Sequence, residues 1–183
     1  MIGRMEIEVS AEAKDKRLNR GVAVTVVVLS VAMGLGNIKD GNIVQAMDRA
    51  EAHSVDRWNE YQATRVKARV IETSMAEVAA THAAPPPSFA ADLARYKAET
   101  PVLKTQAQGF ETQYDALNVH DDQFDASEAA LSTAISVAAV AALVEAPWVL
   151  AAAWCFGAFG LFLSLCGFAG WGFHPDVLST LLG

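Results

Sequence analysis

The sequence predicts an all-α membrane protein: three transmembrane helices with a long extramembrane antiparallel helical hairpin of the coiled-coil kind. Three observations lead there. Residues 129–173 hold one charged side chain, Glu145; residues 21–38 hold none; and residues 39–128 between them are helix-favouring and polar, broken most sharply at Pro85-Pro86-Pro87. A helix over all of 129–173 would be about 67 Å long, roughly twice the apolar thickness of a bilayer, so that stretch must reverse. Glu145-Ala146-Pro147 is the one place with chemistry for a reversal, because proline cannot continue a helix that precedes it.

Composition narrows the function. Of 183 residues 52% are hydrophobic and 19% charged, and the two kinds are segregated along the chain, unlike an ordinary soluble globule. A net charge of −7 argues against a nucleic-acid partner, which needs a basic face to neutralise phosphates, and disfavours tight association with anionic lipid. The two cysteines, Cys155 and Cys166, lie on one apolar helix about 16 Å apart, beyond disulfide reach, and read as small packing residues.

Taken in order, residues 1–20 form a polar, cytoplasmic N-terminal tail with five basic residues (Arg4, Lys14, Lys16, Arg17, Arg20). Residues 21–38 are the first span, about 27 Å as helix. A cleaved signal peptide is the rival reading, but the long, acid-containing segment before it favours an uncleaved anchor. No Lys or Arg follows Lys104, so basic residues mark the N-terminus as the inner end. The hairpin then lies outside, the Glu145 turn inside, and the C-terminal tail 174–183 outside.

In the hairpin, 39–128, arms 39–82 and 88–128 are about 66 and 61 Å as helices, and the tip falls at 83–88. Leu103, Phe110, Leu117, Phe124 and Leu131 recur every seven residues, one half of a heptad seam. The other half, Ala107, Tyr114, Asp121 and Glu128, is apolar only in its first two members. In the first arm Val44, Val55 and Val66 recur every eleven residues, which predicts a straighter stripe, with Trp58 and Tyr61 in the seam. Equal arms pair residues whose numbers sum to about 168, setting Trp58 against Phe110, Val44 against Phe124 and Val66 against Val102. Thr100-Pro101 predicts a break, Thr100 capping a new helix with Pro101 in its first position.

The second and third spans are 129–146 and 148–173. Small residues stripe all three: Gly34 on the first; Ala130, Ala134 and Ala138 on the second; Gly157 and Gly170 on the third. Such faces let helices approach closely, which drives association in lipid.

Asp15-Lys16-Arg17-Leu18-Asn19 before the first span, and Ser54-x-Asp56-x-Trp58-x-x-Tyr61-Gln62-Ala63-x-x-x-Lys67 after it, carry a family resemblance. The chain resembles a bacterial membrane-protein family known as domain of unknown function 4337. The resemblance implies a bacterial inner (cytoplasmic) membrane location and a periplasmic hairpin; it brings no activity, substrate or site. Asn59-Glu60 and Thr64-Arg65-Val66 depart from the pattern at positions with no attached role.

No catalytic, cofactor-binding or metal constellation emerges. Asp56, Trp58, Tyr61, Gln62 and Lys67 read either as a recognition patch or, in the more ordinary way, as seam aromatics with rim hydrogen bonds. Glu145 reads as a loop acid at headgroup level sooner than as an ion-handling carboxylate. His53, His82, His120 and His174 make no zinc spacing. The expected function is that of a non-enzymatic, self-associating inner-membrane structural or scaffold protein, with the bilayer and its own copies as partners. The alternatives are an accessory subunit of a larger membrane complex and an ion-conducting pore.

Overall fold

A computed structural model describes residues 2–173, with side chains over 16–173. The predicted C-terminal tail 174–183, with His174, lies outside the described residues. Three helices make up the fold: α1 (Ile2–Ala80), α2 (Pro87–Leu143) and α3 (Pro147–Ala169). No strand occurs among the described residues. Each helix contains a stretch long and apolar enough to cross a membrane, with mean hydropathies of 2.0, 1.6 and 2.1. The predicted N-terminal tail is helical from Ile2 and continuous with the first span.

All three helices stop in the same way, on a residue in the left-handed region. His82 (φ 59°) ends α1, with Ala83 N–H donating to the Val78 carbonyl at 3.3 Å and His82 N–H to that of Ala79 at 3.0 Å. Glu145 (φ 52°) ends α2, with Ala146 N–H donating to the Ala141 carbonyl at 3.2 Å. Gly170 (φ 68°) ends α3, with Trp171 N–H donating to the Cys166 carbonyl at 3.0 Å. The bond reaching back five residues is the Schellman signature, which satisfies carbonyls a helix end would otherwise leave bare. Helix α2 ends at Leu143 and α3 at Ala169, short of the expected span ends at 146 and 173, because each cap claims the residues that follow. Pro147 then opens α3, where its missing N–H is harmless.

Pro101 does not break α2, contrary to expectation. One missing N–H removes one intrahelical bond, that to the Lys97 carbonyl, and the turns on either side persist. Thr100 is not an N-cap: its hydroxyl donates back to the Tyr96 carbonyl at 2.7 Å, and that of Thr105 to the Pro101 carbonyl at 3.0 Å.

The chain divides into two compact units, Met1–Val44 with Asn118–Gly183, and Gln45–Leu117. In the second unit the inward positions of α1 are Met47, Ala50, Ser54, Arg57, Tyr61 and Thr64, then Ala68, Ile71, Met75 and Val78, in alternating steps of three and four. Those of α2 run Phe89, Leu93, Tyr96, Thr100, Leu103, Ala107, Phe110, Tyr114 and Leu117 in the same rhythm. Both arms therefore follow a seven-residue period. The eleven-residue stripe of the first arm is corrected: Val55 and Val66 are 52% and 62% exposed, and Val44 41% exposed. Each is a position or two off an inward residue, and one step along a helix turns a side chain by about 100°. The inward places are held by Ser54 and Thr64, small hydroxyls that let the helices close; Ser54 Oγ donates to the Ala107 carbonyl at 3.4 Å.

The first unit is a three-helix assembly turned inside out. Leu18 and Val22 of α1 pack with Ala138 and Ala141 of α2 and Leu150 and Ala153 of α3; Leu29 packs with Leu131 and Ala134. The inner face of α3 reads Leu150, Ala153, Gly157, Gly160, Ser164, Gly167. A methyl group on Gly157 would lie 3.0 Å from Leu29, on Gly160 2.8 Å from Leu131, and on Gly167 2.6 Å from Phe124. Of the predicted packing residues, Ala130, Ala134, Ala138 and Gly157 are buried here. Gly34 is not: it is exposed with no neighbour, and Gly36, where a methyl group would lie 3.6 Å from Phe124, takes its place. Gly170 serves as a helix stop and packs on nothing. Many large apolar side chains, Val27, Val31, Trp148, Phe156 and Leu165 among them, face outward, the distribution that a lipid solvent favours and water does not.

Candidate functional site

Within the hairpin unit the predicted seam residues part company. Leu103 is buried and Trp58, Tyr61, Phe110 and Leu117 are half-buried. Trp58 and Phe110 line one cleft with Glu51, Ser54, Glu111 and Tyr114. Each ring has another partner: Phe110 lies against the His53 ring (centroids 5.1 Å), and Trp58 meets Tyr61 edge-on (5.3 Å) while its Nε1 donates to Glu111 Oε1 at 2.7 Å. Lys67 sits over the Tyr96 ring, whereas Asp56 and Gln62 are exposed.

The densest chemistry lies in the three-helix unit, where α1 leaves its apolar stretch and α2 enters its own. Asp40 of α1 is brought against Asp121, Asp125 and Glu128 of α2. Burial is the main force on this cluster. It pushes Asp121 up to about 6, helped by the charges of Asp40, Asp125 and Asp122. It also raises Asp40 and Asp125, the latter helped by Asp122 and Glu128. A side-chain hydrogen bond between Asp121 and Asp40 adds to the rise of Asp121 and works against that of Asp40, and the Asp40 Oδ1 atom is buried with no hydrogen-bond partner. Amides line the rim: Asn37 Nδ2 is 3.5 Å from Glu128 Oε1, and Asn118 Nδ2 is 3.4 Å from Asp122 Oδ2. Among the described residues no group of three His, Cys, Asp or Glu side chains converges as a metal ion requires.

Beside the acids, Gln123 is wholly buried. Its Nε2 donates to the carbonyls of Trp171 (2.8 Å) and Phe173, and its Oε1 is 3.0 Å from His120 Nδ1. Phe124, buried next to it, takes Phe168 edge-on at 5.2 Å. Glu145 is exposed at the opposite end, in its left-handed turn.

A family model matches residues 18–170, most of the chain. The chain belongs to the family described as Domain of unknown function (DUF4337). The DUF4337 match opens on Leu18, a buried residue near the start of the described side chains, and closes on Gly170, the cap of α3. No curated protein and no solved structure matches this DUF4337 chain.

Sequence reasoning missed the acid cluster because Asp40 and Asp121 are 81 positions apart. The expected register, with numbers summing to 168, sets Asp40 opposite Glu128, whereas Asp40 meets Asp121 and Phe124 lies by Gly36 rather than Val44, a pairing shifted by one to two turns.

Proposed function

We propose that this DUF4337 protein is a non-enzymatic, self-associating structural protein of a bacterial inner membrane. The observation that supports it is the apolar surface left on the hairpin unit. Val55, Val66, Val70 and Val102 are 52–62% exposed on a pair of helices that has no third layer to cover them. In water such a stripe is relieved by a second copy presenting the same stripe. The charge pattern of the three-helix unit supports an orientation as well. Lys16, Arg17 and Arg20 mark one end as cytoplasmic, and the acidic end with the hairpin is periplasmic.

Native mass spectrometry of the full chain in mild detergent tests this. A single homomeric species is expected, reverting to monomer in the Val55→Lys/Val66→Lys double variant. A monomeric wild type overturns the proposal, and a foreign protein at fixed ratio favours the accessory-subunit reading instead. A reporter fused at the 83–88 tip checks orientation: activity confined to the cytoplasm contradicts the periplasmic hairpin.

A further inference from the structure

We propose that the groove between the N-terminal parts of α1 and α3 binds an anionic phospholipid. Its phosphate is held by Arg17 and Arg20 and an acyl chain lies along Val24, Val28 and Leu161. The groove has a volume of about 630 Å³ and is lined on α3 by Trp154, Gly157, Ala158 and Leu161, where the exposed Ala158 brings little bulk. Arg17 and Arg20, one turn apart on the same face and both exposed, stand at one end of it. Neither pairs with an acid among the described residues. Trp154 forms a wall, its Nε1 donating to Thr25 Oγ1 at 2.9 Å across the two helices.

Three features select this occupant. From Arg17 to Leu29 the helix rises about 18 Å, close to the ~15 Å depth of one leaflet's hydrocarbon, so a chain hung from the arginines fills the groove and no more. Two guanidinium forks offer the planar paired donors that a phosphodiester accepts. Local charge outweighs the net −7 of the chain. Residues 1–20 hold five basic residues against four acids, and Arg17 and Arg20 are the two nearest the groove. The Asp40 cluster is ~30 Å away along α1, several Debye lengths at physiological salt. The site thus reverses the expectation, drawn from net charge, of weak affinity for anionic lipid.

The proposal rests on α1 and α3 crossing the bilayer, and its test separates the two. The full chain with Trp154 as its one tryptophan (Trp58→Phe, Trp148→Phe, Trp171→Phe) is reconstituted in phosphatidylcholine vesicles. Either the phosphatidylcholine or an equal fraction of phosphatidylglycerol carries brominated acyl chains, which quench a neighbouring indole. Brominated phosphatidylglycerol is expected to quench Trp154 as if bound roughly tenfold more tightly, a preference in line with two basic groups at an anionic surface. Arg17→Gln/Arg20→Gln should erase the preference at unchanged helical content, Arg17→Lys/Arg20→Lys should keep part of it, and Lys39→Gln should leave it intact. Ala158→Phe, which fills the groove and keeps the charges, should also erase it. Equal quenching by both lipids, a preference surviving the glutamine pair, or a preference abolished by millimolar inorganic phosphate alone overturns the site. Quenching by neither lipid refutes the membrane crossing itself.

Discussion

The Ser127 hydroxyl donates to the backbone carbonyl of Gly160 at 2.8 Å, joining α2 to α3 where Gly160 has no side chain to hold them apart. The bond is buried, and removal of the hydroxyl in Ser127→Ala should lower stability by about 1 kcal/mol. Gly160→Ala should do more, about 1–3 kcal/mol, because its methyl would lie 2.8 Å from Leu131 Cγ and 3.1 Å from the Ser127 carbonyl, neither of them a free side-chain tip. Gly109→Ala, on an exposed helical surface with nothing within 4 Å, should gain about 0.5–1 kcal/mol. Thermal unfolding in mild detergent orders the three variants.

Glu145 holds a conformation that glycine adopts freely and that costs an L-residue about 1–2 kcal/mol. Glu145→Gly should therefore raise the thermal midpoint by roughly 2–4 °C for each kcal/mol recovered in a chain of this size. A fall in midpoint would show that the carboxylate makes a stabilising contact beyond the turn.

The Asp121 pair gives stability a pH dependence of definite sign. An acid raised on folding opposes folding once it must ionise. The penalty is absent below the ordinary value of 3.8, grows as pH rises to about 6 and is complete above that. Asp40 and Asp125, also raised, act in the same direction. The midpoint should fall between pH 4 and pH 7, and Asp121→Asn should flatten that fall and lift the midpoint at pH 7. Because the cluster is partly solvated, the lift should be no more than about 1 kcal/mol. A midpoint rising from pH 4 to 7 contradicts the raised carboxyls.

Trp58 should matter through its N–H more than its ring. Trp58→Phe keeps an aromatic against Tyr61 but loses the bond to Glu111, and should lower hairpin stability by about 1 kcal/mol. Glu111→Gln should lose part of the same energy, and the double variant little more than Trp58→Phe alone. Additive losses would show that the two side chains act independently.

What was legible in the sequence is what depends on patterns of large and small residues close along the chain. The charge-free runs, the proline tip, the reversal at Glu145 and the heptad of Leu103 and Phe110 all reappear as structure. The misreadings share a cause. Val44, Val55 and Val66 look like a core because they are apolar, yet close approach is served by Ser54 and Thr64, which look like surface. Gly34 and Gly36 are indistinguishable in sequence; only the facing Phe124 decides which one is a contact. Thr100-Pro101 has the sequence of a stop because the hydroxyl bonds of Thr100 and Thr105 carry no sequence signal of their own.

The glycines of α3 also restrict how the protein can move. Leu29, Leu131 and Phe124 each occupy a notch cut for it, at Gly157, Gly160 and Gly167. A shift of α3 by four residues, about one turn, would bring Leu161, Ser164 and Trp171 to where the three notches had been and jam all of them at once. Piston-like sliding, one of the ways a helix relays a signal across a bilayer, is therefore closed to α3. Any message through the three-helix unit has to travel as tilt or rotation of the whole.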